Sequence, residues 1–208
     1  MKMRTAAVSA ACVALAAALA AGAGGSSASG GASPAAGAAN PAVPGAKFTG
    51  SAKCRACHFA QNKSWDATRM AKAFDLLKPN AAAEARKKAG LDPAKDYTAD
   101  PACLACHTTG YGKPGGFVSA AETPDLAGVQ CEACHGAASE YLKPGKMTLS
   151  NREYKRTDLV AAGLLLQSAA NCAALCHNEK SPTHKPLNYE EGVRTQVHAL
   201  VPLKFKHD

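Results

Sequence analysis

Aromatic side chains make up only 5% of the 208 residues, and there is a single tryptophan. A domain of ordinary size with so few large rings has a poor apolar core of its own. Residues 5–46 carry no charge at all. Several function classes have no foothold. There is no phosphate-binding loop, no nucleophile elbow and no zinc-protease helix. There is no compact run of lysine and arginine with interleaved aromatics, which argues against nucleic-acid binding.

The chain starts Met1-Lys2-Met3-Arg4 and is then largely apolar from Thr5 to about Ala21. A short basic start followed by an Ala/Val/Leu stretch and small residues reads as a secretory signal, with the cut between Ala20 and Gly25. The alternative, an N-terminal membrane anchor, is disfavoured because the run is short, Ala-rich and followed by no stop-transfer charges. At most peripheral membrane contact is expected. Residues 23–46 contain only Gly, Ala, Ser, Pro, Asn and Val, the composition of a flexible linker. The expected organisation is therefore 1–22 signal peptide, 23–46 linker and 47–208 a single folded domain, exported to the periplasm.

What the chain does have is cysteine in a pattern. Cys12 lies in the leader. The other eight fall in four sites: Cys54-Arg55-Ala56-Cys57-His58, Cys103-Leu104-Ala105-Cys106-His107, Cys131-Glu132-Ala133-Cys134-His135 and Cys172-Ala173-Ala174-Leu175-Cys176-His177. C-x-x-C-H reads as covalent attachment of c-type haem. Two thiols on one side of a helical turn bond the two vinyl groups of one haem, and the histidine that follows reaches the iron from the same face. The extra residue in the fourth site still leaves its cysteines on one helical face. Structural zinc is the competing reading, but zinc does not require a histidine directly after every second cysteine. Haem of this type is assembled outside the inner membrane, which agrees with the leader. No thiol is left over, so no disulfide is expected in that oxidising compartment.

Four haem c groups would also repair the shortage of aromatic core, with polypeptide wrapped around porphyrin faces. They alter the charge as well. The formal +8 becomes +6 without Lys2 and Arg4, and each ferric haem with neutral axial ligands adds about −1, leaving about +2. The expected fold class is mainly α, with short helices and long loops around four stacked haems and almost no sheet.

Along the domain, Ala67, Met70, Phe74 and Leu77 mark one face of a helix over 61–77, which Pro79 stops. Residues 81–89 read as a second helix capped by Gly90. A glycine-rich turn covers 110–116, and Phe117 to Val118 reads as a short strand. The closeness of Cys103 and Cys131 suggests that the second and third haems pack together. Residues 159–170 and 189–200 read as further helices. The site spacings share no period, so this is no solenoid.

The sites and the text around them resemble the tetrahaem cytochrome c-554 family of ammonia-oxidising bacteria. The resemblance rests on Trp65-x-x-Thr68, Leu91-Asp92-Pro93-Ala94-Lys95-Asp96-Tyr97-Thr98, Gly128-Val129-Gln130 leading into Cys131-Glu132-Ala133-Cys134-His135-Gly136, and Lys204-Phe205-Lys206-His207-Asp208. It implies a helical, haem-stacked periplasmic electron carrier. Such a carrier takes electrons from a hydroxylamine-oxidoreductase-like donor and passes them through a membrane cytochrome acceptor toward the quinone pool.

The family pattern carries the proximal ligands onto His58, His107, His135 and His177. It implies a second histidine on three haems, with the second-site haem open on one face. His198 stands where the distal ligand of the third haem falls. Met70 replaces the histidine expected after Thr68. It is either a thioether ligand of the fourth haem or a core methionine. Tyr141 follows Ser139-Glu140 where related chains have histidine. It either ligates the first haem through its phenol or packs over the iron. His184 is either a ligand to a neighbouring haem or a loop histidine, and His207 is near the frayed end. An open iron face keeps an enzymatic alternative alive, reduction of nitric oxide or a related small nitrogen species.

Overall fold

The structure is a computed structural model that describes residues 43–203. The leader, most of the linker and His207 lie outside the described residues. Among the described residues the secondary structure is eight short α-helices, two 3-10 turns and no strand. The helices are α1 (Ser51–Arg55), α2 (Phe59–Trp65), α3 (Ala83–Lys88), α4 (Pro101–His107), α5 (Cys131–His135), α6 (Arg156–Ala161), α7 (Ala169–Leu175) and α8 (Tyr189–Thr195). The expected mainly helical, loop-rich class is what the chain adopts. No described helix is long and apolar enough to cross a membrane.

Four of the eight helices carry the cysteine sites, and local chemistry starts them there. Asp100 caps α4 by accepting from Ala102 N at 3.0 Å, with Pro101 at the first helical position, where its missing N–H costs nothing. Ser168 caps α7 by accepting from Asn171 N at 3.2 Å.

Several expected elements are shorter than their periodicity suggested. The helix over 61–77 is α2, a run of turns, and a 3-10 turn over Ala73–Leu77. The break has a cause. The Met70 carbonyl accepts from Val129 N at 3.1 Å, a bond to the approach of the third site. Thr68 Oγ1 accepts from Ala71 N at 3.2 Å, competing with helix hydrogen bonds. Ala67 is exposed, so the proposed apolar stripe begins only at Ala73 and Phe74. The helix over 81–89 shrinks to α3 because Asn80 and Ala82 sit at positive φ. The stretch 159–170 splits into α6 and α7 around Gly163, and 189–200 ends at Thr195. Phe117 forms no strand. Its N–H donates to Thr109 O at 3.0 Å, and the only bridges among the described residues are the isolated pairs Thr108–Ala127 and Thr148–Asn151.

Two small apolar clusters hold this framework. The first joins Phe74, Leu77, Tyr97, Leu104, Phe117 and Leu126. The second joins Ala138, Tyr141, Leu159 and Ala162. Polar pins do much of the remaining positioning. Trp65 Nε1 donates to Val129 O at 2.9 Å. Thr109, fully buried, donates from Oγ1 to Gly128 O at 2.9 Å and accepts from Gln130 N at 2.7 Å. Gly128 has φ +84°, and a Cβ there would meet Ala71 O at 2.0 Å, so only glycine lets the two segments close.

The loop between α2 and α4 is locked by Arg86, only 5% exposed. Its guanidinium donates to the carbonyls of Leu76 at 2.6 Å, Lys78 at 2.7 Å, Pro93 at 2.8 Å and Lys95 at 3.1 Å, and lies over the Tyr97 ring. A planar fork suits four fixed acceptors, and an ammonium does not. Arg86→Ala strands these carbonyls and should lower stability by roughly 3 kcal/mol. Arg86→Lys should recover less than half of that, as read by the thermal midpoint of the purified protein.

Candidate functional site

Each cysteine site ends a turn so that its histidine follows directly. In the first site, His58 N donates to Cys54 O at 2.9 Å. In the fourth, His177 N donates to Cys172 O at the same 2.9 Å, across one residue more. The extra residue is therefore absorbed as a wider turn, and the histidine amide returns to the first cysteine's carbonyl in both. The third site is α5 itself. It is strapped by the 163–167 loop, where Leu165 N donates to His135 O at 3.0 Å and the Gln167 amide donates to Cys134 O.

The eight thiols are all free, and they approach one another across sites. The neighbour that most affects Cys54 is Cys131, and the neighbour that most affects Cys106 is Cys176. Cys131 is lowered chiefly by Cys54, while Cys54 is raised by Cys131 and then by burial. Cys106 is lowered to about 6 by Cys176, with burial opposing and Lys180 assisting. Cys134 is pushed up to about 11 by burial, with Cys172 and Cys131 adding to it. These pairings link the first site with the third and the second with the fourth.

The histidines are arranged as bases. His107 Nδ1 sits 2.7 Å from Ala73 O. A carbonyl can only accept, so Nδ1 carries the proton and Nε2 keeps a free lone pair. His198 Nδ1 stands 3.0 Å from Ala199 O, with the same consequence. The ring centres of His135 and His198 are 6.3 Å apart and inclined by 31°. Burial lowers His135, and the positive forms of His198 and His58 would lower it further. His58 is lowered by burial and by His198. These three rings share one neighbourhood. Ala199 N donates to Ser64 Oγ at 2.9 Å, which ties the His198 segment to α2.

His177 and His184 are exposed, and Met70 is half-buried on the turn after α2. Tyr141 is buried and donates from its hydroxyl to Gly136 O at 3.0 Å. Burial, then the charge of Glu132, raises its phenol. Large apolar side chains remain exposed beside the sites: Phe59 after His58, Leu175 inside the fourth site and Leu200 after His198.

Residues 53–136 match the family model described as cytochrome c554 and c-prime. Over 150 residues the chain is 42% identical to cytochrome c-554 of Nitrosomonas europaea, covering 70% of this chain and 60% of that relative's length. It also superimposes on the reduced-state structure of cytochrome c554 from Nitrosomonas europaea with a TM-score of 0.68. That match has 31% identity and covers 78% of this chain and 90% of the other. The chain belongs to the cytochrome c-554 family. Membership of this c-type cytochrome family implies covalently bound haem c.

Two features of this cytochrome were not singled out from sequence. One is the Nδ1 contact of His107, set by a residue 34 positions away. The other is the environment of Glu132, which in the sequence is only a variable position inside a motif.

Proposed function

We propose that this cytochrome is an exported electron carrier with four haem c groups. They would be attached through Cys54 and Cys57, Cys103 and Cys106, Cys131 and Cys134, and Cys172 and Cys176. The residues suit the group. Each site presents two thiols and a histidine on one turn, and the apolar side chains left exposed beside the sites are suited to a porphyrin face. The observation that carries the reading is the spacing of His135 and His198. Two imidazoles on opposite sides of one metal ion, each nitrogen about 2.0 Å away, have ring centres roughly 6 Å apart, and these two sit at 6.3 Å.

The bound haem iron supplies one-electron chemistry, cycling between ferric and ferrous forms. The chain supplies ligands and spacing. His58, His107, His135 and His177 are the proximal bases, and His198 is the distal base of the third site. His107 is held in its ligating tautomer by Ala73, and Met70 is the thioether candidate for the fourth site. The influence of Cys131 on Cys54 and of Cys176 on Cys106 supports grouping the first site with the third and the second with the fourth, near enough for electron exchange. Donor and acceptor are redox proteins of the periplasm, a hydroxylamine-oxidoreductase-like enzyme on one side and a membrane cytochrome leading to quinone on the other.

A second reading, reduction of nitric oxide or a related small nitrogen species, is favoured by one feature. Tyr141 stands where a distal histidine is expected and keeps its phenol on Gly136. That leaves the first-site iron without this side chain as a ligand.

Electron paramagnetic resonance of the oxidised protein separates the readings. His198→Ala should convert one low-spin iron to high-spin and leave the others unchanged, and an unchanged spectrum removes His198 as a ligand. Met70→Ala should remove a second low-spin signal if the sulfur ligates. Rapid turnover of nitric oxide by the wild-type protein, with two or more high-spin irons, would favour the enzymatic reading.

A further inference from the structure

Glu132 lies between the cysteines of the third site on α5 and is only 2% exposed. Its carboxylate is ringed by donors. Oε1 accepts from Ala138 N at 2.8 Å, Thr49 N at 3.0 Å and Thr49 Oγ1 at 3.3 Å, and Oε2 accepts from Gly50 N at 2.8 Å and Thr49 N at 3.0 Å. Every backbone partner can only donate. The backbone thus offers the carboxylate donors and no acceptor. No lysine or arginine forms an ion pair with it among the described residues. The chain thus buries a carboxylate, held by backbone amides and the Thr49 hydroxyl, where the first and third sites meet.

The reach of that charge is visible at both sites. It raises Cys54 beyond the effect of Cys131 and of burial, and it opposes the lowering of Cys131. A buried charge acts through low-dielectric protein and is little screened by salt, whereas surface lysines are well screened.

We propose that Glu132 is a redox-tuning residue. Its buried carboxylate favours ferric over ferrous iron at the first and third sites, and so sets the Cys54/Cys131 end below the Cys106/Cys176 end in potential. This rests on the haem reading above. Electrons then run downhill from the first and third sites to the second and fourth. Each step moves one electron, oxidising one iron and reducing its neighbour. No bond is made. A donor redox protein supplies the electron, and an acceptor redox protein removes it.

The test compares wild-type protein with Glu132→Gln, both first assayed for four haems by pyridine haemochrome and intact mass. A wild-type count below four defeats the haem reading and overturns the proposal with it. With four present, potentiometric titration should resolve a lower and a higher pair in the wild type. In the variant the lower pair should move up by at least tenfold in the reduced-to-oxidised ratio at fixed potential, about 59 mV for one electron. The higher pair should move much less. No movement, or equal movement of all four, overturns the proposal. A second measurement holds even if the variant fails to mature. In wild-type protein the gap between pairs should survive a rise in salt from about 0.01 to 1 M, over which the screening length falls from about 30 to 3 Å. Collapse of the gap assigns it to surface charge and overturns the role of Glu132.

Discussion

Two small clusters of buried apolar side chains are too little to hold eight short helices and their loops together, and the rest of the structure follows from that shortage. Where apolar packing is thin, the chain relies on directed contacts. Arg86 gathers four carbonyls, Glu132 gathers amides from two separate segments, and Thr109 and Trp65 pin the approach to the third site. These contacts fix positions without filling volume. What they position is consistent: four turns that each present two thiols and a histidine, with apolar side chains left uncovered around them.

Family membership gives this arrangement its context, since a c-type cytochrome has an interior that is part polypeptide and part cofactor. The proposed division of labour assigns volume and electron exchange to the bound groups, and orientation to the chain. His107 illustrates the second half. Its ring is set by a carbonyl of the 3-10 turn, so the loop that Arg86 locks also determines which nitrogen faces outward. Stability of that loop and competence of the second site are thereby linked.

Much of the candidate site was legible because its turns are built from local sequence. The order Cys-x-x-Cys-His is a local constraint, and Asp100-Pro101 and Ser168 are local caps. The mainly helical class followed from the same motifs. Helix lengths were less legible. The stripe from Ala67 to Leu77 is periodic, yet the Met70 carbonyl bonds to Val129 and the helix stops. No window of sequence contains that partner. Glu132 was hidden because its meaning lies in Thr49, Gly50 and Ala138, whose amides look like any others until the fold assembles them.

The central claim is that eight paired thiols hold four haems, which complete the interior and do the work. The most direct test is the intact mass of protein purified from the periplasm, taken with its pyridine haemochrome. The account predicts a mass gain equal to four haems and a matching haemochrome. A gain well short of four, or no haemochrome at all, would contradict it.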